Sequence, residues 1–329
     1  MLKICMIGCG NHAGVAHGPS IRRYTQEYPD TFLAACCDLN GERAAAFAER
    51  FGFAAHYTDM DEMLDREKPD AVCVAVTEPF VCPIGTRMMK KGYAVLLEKP
   101  PGLTVEENRI LTRTAQEAGV IHQVAFNRRY LPLIAELKRQ MSEYAPDGIQ
   151  SLFYEFYRSR RAEPTFETTA IHAADTARHI VGSPYREVRF TYLPLPNYGE
   201  RVVDMLLECT FENGVVARIN LCPCSGVTLE RFCVHADDRT FFLTTPIWDG
   251  FDAPGELQRL HLGKLEQTVS GADLCEGQAM YLTNGFFDED RAFFERVRAG
   301  QHSPDDLPST YQSVAIAEAL GRRDKIWHA

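Results

Sequence analysis

Short, mostly apolar runs recur through the first third of the chain at residues 2–7, 32–37, 71–76, 94–97 and 121–126. Nearly continuous apolar runs of this length predict strands covered on both faces, as in a parallel sheet. Between them, residues from 11 to about 28, and residues 41–51, 60–67, 81–91 and 104–118, have helical composition and spacing. Strand–helix alternation of this kind predicts right-handed βαβ units, hence a doubly wound parallel sheet over residues 1–126.

The period then changes. Val203, Met205, Leu207, Cys209 and Phe211 alternate with Asp204, Glu208 and Thr210, the signature of a half-buried strand. Asn213-Gly214 follows and leads into residues 215–221, a strong hairpin signal. Residues 228–235 and 240–244 flank Asp237-Asp238-Arg239 as a second hairpin, while residues 168–181, 286–299 and 309–320 read as helices. Residues 127–329 are therefore expected to form an α+β domain around an open, mostly antiparallel sheet, giving two domains in 329 residues.

Composition narrows the class. Apolar residues make up 45% and charged residues 24%, ordinary for a globular protein. The net charge of −10, without a long basic tract, argues against nucleic acid or an anionic membrane as the main partner. The chain opens directly on a strand and a glycine turn, which reads as structure rather than a signal peptide. Eleven cysteines are an odd count, and Cys5, Cys36, Cys37 and Cys73 lie inside apolar runs, where a thiol packs as a small hydrophobe. Cys222-Pro-Cys224 has the wrong spacing for a zinc knuckle. A reducing, cytoplasmic setting without a structural metal is expected.

The first strand runs into Gly8-Cys9-Gly10-Asn11-His12-Ala13, which fits G-x-G-x-x-(G/A) between a strand and a helix. Gly8 permits the tight turn, Gly10 lets a pyrophosphate approach the backbone, and Ala13 lets the helix pack on the strand. The phosphates would rest on the backbone N–H groups around Asn11 and His12. Asp38 ends the second strand, where a carboxylate accepts the adenosine ribose hydroxyls and repels the extra phosphate of NADP. The plainer alternative makes Asp38 the cap of the helix that starts near Gly41. NAD is the expected cofactor and NADP the less favoured one.

Leu97-Glu98-Lys99-Pro100 follows the fifth run, and Val124-Ala125-Phe126-Asn127-Arg128-Arg129-Tyr130 leaves the sixth. With Ile171-His172-Ala173-Ala174-Asp175 further on, these segments resemble the glucose–fructose oxidoreductase and inositol dehydrogenase family. The resemblance implies a Rossmann domain followed by an open antiparallel sheet with flanking helices. Residues beyond the carboxyl end of a central parallel strand face the cofactor crevice, which is where Lys99 falls. A lysine partly stripped of water beside a cationic ring releases its proton more readily, as exchange with a substrate hydroxyl requires. The bland reading is a surface lysine at a Lys-Pro-Pro strand exit. The resemblance assigns Glu98 to holding the loop or touching the cofactor ribose.

His172 is the second catalytic candidate, beside the plainer reading of a helix histidine at a domain junction. Relatives usually show Asp-x-x-x-His here, but the residue four before His172 is Thr168. Thr168, His172 and Asp175 share one helical face. Threonine can hydrogen-bond a substrate but cannot act as a carboxylate base, and Asp175 suits an orienting role. A second departure is the loop Thr77-Glu78-Pro79-Phe80-Val81, which lacks the relatives' histidine near Val81. Thr77 and Glu78 remain cofactor neighbours by position. Arg158 and Arg160 leave a strand on one face and could meet a substrate anion; a solvated strand end explains them equally well.

These features predict an NAD-dependent dehydrogenase or reductase acting on a secondary alcohol or ketone of a sugar, cyclitol or related compound, assembled as a homodimer or homotetramer. Two alternatives share the cofactor site: a lyase or glycosidase that oxidises its substrate transiently, and an NAD-binding sensor without turnover.

Overall fold

The computed structural model describes residues 1–145 and 148–329. Contacts within the chain divide it into two compact units, Met1–Asn127 with Phe286–Val314, and Arg128–Gly285 with Ala315–Ala329.

The first unit alternates strand and helix: β1 (Leu2–Ile7), α1 (Asn11–Val15), α2 (His17–Glu27), β2 (Thr31–Cys37), α3 (Gly41–Phe51), β3 (Ala55–Tyr57), α4 (Met60–Glu67), β4 (Ala71–Val74), α5 (Glu78–Lys90), β5 (Ala94–Glu98), α6 (Val105–Ala118) and β6 (His122–Ala125). All neighbouring strands pair in parallel, in the order β3-β2-β1-β4-β5-β6. This is the doubly wound order whose reversal beside β1 opens a crevice at the carboxyl ends of the strands. Strands β4 and β5 are buried at every position, which is why their sequences run apolar, up to the closing Glu98, instead of alternating.

Two details depart from the sequence pattern. The single helix expected from residue 11 to about 28 breaks at Ala16, because Pro19 has no N–H to continue the α1 ladder. β3 went unpredicted, since three residues carry too little periodicity to register.

The division at residue 127 also needs correction, because Phe286–Val314 joins the first unit. Its helix α10 (Phe286–Ala299) buries Phe286, Phe287, Phe293 and Phe294. Phe294 lies 5.0 Å from the Tyr24 ring of α2. Arg298 donates to Asp30 and Tyr24 at 2.6 and 2.9 Å, and Asp305 O accepts from Val124 N–H at 3.0 Å.

The second unit contains α7 (Pro132–Tyr144), β7 (Ser151–Tyr157), α8 (Glu167–Val181), β8 (Tyr185–Pro194), β9 (Val203–Phe211), β10 (Val216–Cys222), β11 (Leu229–His235), β12 (Arg239–Thr245), β13 (Glu256–His261), β14 (Lys264–Ser270), the short α9 (Met280–Thr283), most of α11 (Tyr311–Arg322) and β15 (Ile326–His328). Among the described residues its sheet runs β14-β13-β12-β11-β7-β10-β9-β8-β15, with only the β7–β10 pair parallel. Helix α7 packs on β12 and β13, and α8 on β7 and β10. Ala170, Ala173, Ala174 and Ala177 let α8 approach the sheet closely, over Leu152, Tyr154 and Phe156. The opposite face carries exposed Phe153, Val216 and Phe242 among Glu155, Glu208 and Arg218, so it is mixed rather than uniformly apolar. All eleven cysteines are free thiols. Among the described residues no helix is long and apolar enough to cross a membrane.

Candidate active site

The glycine turn lies at the carboxyl end of β1. Gly8 has φ +92°, and a Cβ there would stand 2.1 Å from the Ala75 carbonyl oxygen, so only glycine fits. Its N–H donates to Cys37 O at 2.8 Å, and Ala75 N–H donates to Ile7 O at 2.9 Å, locking the turn between the ends of β2 and β4. At Gly10 a Cβ would meet nothing within 4 Å. That open space, bordered by Gly10, Asn11, Gly14 and Arg43, suits a ligand brought against the backbone. Asp38 does not cap α3: Asn40 does, accepting from Arg43 N–H. The Asp38 carboxylate turns back to accept from Cys9 N–H and Asn40 N–H, each at 2.9 Å, with Arg43 Nη1 at 3.4 Å. The capping alternative is thereby removed, and the carboxylate stands beside the glycine turn. Thr77 is the exposed N-cap position of α5, followed by Glu78 at its first residue.

Glu98 closes β5 and is almost fully buried. His12 Nε2 and His17 Nε2 lie 2.7 and 2.9 Å from its Oε1, and its Oε2 accepts the Lys99 N–H at 2.9 Å. The other ring nitrogen of His17 lies 2.9 Å from Asp290 Oδ1 on α10. Burial raises the cost of ionising Glu98, but the two imidazoles outweigh it and hold its carboxyl well below the usual range. Burial opposes charge on His17 too, yet Asp290 and Glu98 together keep its pKa well above that of a free imidazole. Glu289, fully buried with no hydrogen bond to either carboxyl oxygen, is pushed well up by burial, which favours its protonated form. Lys99 is half-buried and joined to Pro100 by a cis bond. Leu103 N–H donates to Glu107 at 2.6 Å, and Asn108 reaches Pro101 O and Thr310, fixing the loop that follows. Neither His17 nor Asp290 was predicted; no local pattern links residues 273 apart.

The second unit holds the remaining candidates. His172 and Asp175 are buried on α8, and Thr168, in its first turn, donates to Thr165 O at 2.9 Å. Arg129 grips both oxygens of Asp175, at 2.8 and 2.6 Å, so that carboxylate has an orienting partner of its own. Arg158 and Arg160 are not brought together. Both lie beyond the end of β7, where strand alternation no longer applies; Arg160 is exposed at φ +56°. Arg158 is buried, bonded to Glu230 and Tyr157 O, and stacked 3.7 Å from the Phe156 ring centroid. Arg128 grips the same Glu230 at 2.6–3.1 Å, and Tyr154 Oη donates to it at 2.5 Å. Burial pushes Glu230 up, but the two guanidiniums prevail and bring it down to about 2. Arg158 is therefore committed inside the second unit.

Residues 2–126 match the oxidoreductase family with an NAD-binding Rossmann fold. That segment spans β1 to β6, and the match is to a fold that binds NAD. The chain is 29% identical to D-apiose dehydrogenase of Paraburkholderia graminis, over 70% of this chain and 63% of that protein. It is 27% identical to inositol 2-dehydrogenase of Rubrobacter xylanophilus, over 70% and 67% respectively. The alignment with the first of these thus spans less than two thirds of the relative's length. Levoglucosan dehydrogenase in complex with NADH has the same fold over nearly the whole chain, with a TM-score of 0.83, 21% identity, and coverage of 99% of this chain and 98% of that one.

The Glu230 cluster gives a pH prediction. A folded pKa of about 2 against an unfolded value near 4.5 means its stabilisation is complete above about pH 4.5 and fades as pH falls toward 2. Glu230→Gln leaves two guanidiniums facing one neutral amide and should cost about 3–5 kcal/mol at neutral pH. Urea unfolding of both proteins from neutral pH to about pH 3 should show the difference shrinking with acid. A difference that grows would contradict this account.

Proposed function

We propose that the protein is an NAD-dependent dehydrogenase or reductase acting on a secondary alcohol or ketone of a sugar, cyclitol or related polyol. The observation that carries this reading is the placement of Glu98-Lys99. A carboxylate fixed by His12 of the cofactor turn aligns the backbone of a lysine at the mouth of the crevice. The relatives named as sugar and inositol dehydrogenases support the substrate class. The dinucleotide, held by the turn at Gly8, Gly10, Asn11 and His12 and by Asp38, supplies the hydride donor or acceptor. Lys99 Nζ takes the hydroxyl proton on oxidation and returns it on reduction. His172 acts as the second acid/base group or as a donor to the substrate oxygen, and Thr168 positions a further hydroxyl. Asp175, fixed by Arg129, orients the helix face that carries His172.

Lys99→Met keeps the length and removes the charge. Turnover should fall by roughly 10²–10⁴-fold with little change in NAD affinity. His172→Ala should slow turnover as well, and less severely if Lys99 alone carries the proton. NADH absorbance with a panel of polyols checks both; full activity in Lys99→Met would sink the mechanism. Substrate consumption without net NADH would point instead to transient oxidation.

NAD should bind more tightly than NADP, because the Asp38 carboxylate would face the 2′-phosphate. Asp38→Ser should narrow the margin in a fluorescence titration of both cofactors, whereas tighter NADP binding by the unaltered protein would refute the assignment. We also place a subunit contact on the sheet face bearing Phe153, Val216 and Phe242, giving a homodimer or homotetramer. Light scattering at micromolar concentration should report the oligomer, and a monomer would rule it out.

A further inference from the structure

We infer that His12, His17 and Glu98 form a binding site for one divalent ion of the zinc class, between the glycine turn and the end of β5. One nitrogen of each histidine and one oxygen of Glu98 lie within 4.8 Å of one another. They are now linked by hydrogen-bond distances of 2.7 and 2.9 Å. Ligands bound to zinc at about 2.0–2.1 Å in tetrahedral array stand roughly 3.3 Å apart. Opening these two contacts by about half an ångström therefore admits the ion.

The chemistry of the donors agrees with the spacing. Two imidazoles and one carboxylate with a fourth position left over are a familiar open zinc arrangement. On binding, the ion replaces the proton lying between His17 Nε2 and Glu98 Oε1, which leaves to solvent. His17 turns Nε2 toward Glu98 because its Nδ1 is committed to Asp290, the carboxylate–histidine pairing that fixes tautomer and ring direction in metal sites. The ring edges of His12 and His17 meet at 5.6 Å between centroids in a T-shaped arrangement, so neither blocks the other's nitrogen. His17 and Glu98 are buried and thus pre-positioned, while the His12 side chain is 39% exposed and provides the way in. A search for cysteine pairs at zinc spacing cannot find such a site, because Glu98 lies 86 residues from His12.

The test is a cobalt titration of thiol-reduced, NAD-free protein followed by displacement with zinc. It reads metal binding alone and does not depend on the enzymatic reading. Cobalt should give visible ligand-field bands saturating at one ion per chain, without the near-ultraviolet sulfur-to-cobalt band that a cysteine site would add, and zinc should abolish them. His12→Ala should weaken zinc by more than the ~10–100-fold that loss of an outer-shell partner costs, and Asp290→Asn by about that amount. His12 is half-exposed and outside the core, so His12→Ala decides the matter even if Glu98→Gln or Asp290→Asn fails to fold. Absence of visible bands at millimolar cobalt, bands carrying sulfur charge transfer, or undiminished zinc binding by His12→Ala would each overturn the site.

Discussion

A buried carboxylate is tolerable only when the surrounding groups replace the water it gives up, and in the first unit that condition falls on Glu98. Three separate parts of the sequence supply its partners: His12 from the glycine turn, His17 from the start of α2, and the backbone of Lys99. His17 in turn requires Asp290, which brings in α10 from the far end of the chain. The demand of one charge for partners thus joins the glycine turn, the end of β5 and the return helix. It also explains why α10 belongs to this unit, with the four phenylalanines adding apolar burial to the same contact.

The second unit meets the same demand with arginine. Arg128 and Arg129 are adjacent in sequence but serve different carboxylates, Glu230 and Asp175. Each grips its partner through two nitrogens, the geometry in which guanidinium outperforms ammonium. Arg128 and Arg158 flank the Phe156 ring on the way to Glu230, so an aromatic of the sheet core also screens the cluster from water. These contacts fix α8, and with it His172, to the strands beneath.

Much of the architecture was legible because its causes are local. Strands buried on both faces must be apolar throughout, and a hairpin at Asn213-Gly214 needs residues that accept unusual backbone angles. The turn at Gly8 was legible for the same reason: no side chain could stand against the Ala75 carbonyl. Asp38 was ambiguous as a sequence letter, since a residue ending a strand before a helix can cap or can reach back. Asn40, two residues on, takes the cap and leaves Asp38 to the glycine turn.

The sequence by itself determined the strand–helix alternation of the first unit apart from β3 and the break at Ala16, the parallel and antiparallel character of the two sheets, the glycine turn and the strand-end position of Lys99. Periodicity, glycine stereochemistry and strand-end geometry act over a few residues and so leave their mark in the letters. The tertiary structure alone decided that Arg158 serves Glu230, that Arg129 orients Asp175, and that residues 286–314 return to the first unit. It alone brought His17 between Glu98 and Asp290. Those pairings are set by which buried charges come within reach of one another once the apolar faces have packed, and nothing local in the chain encodes that distance.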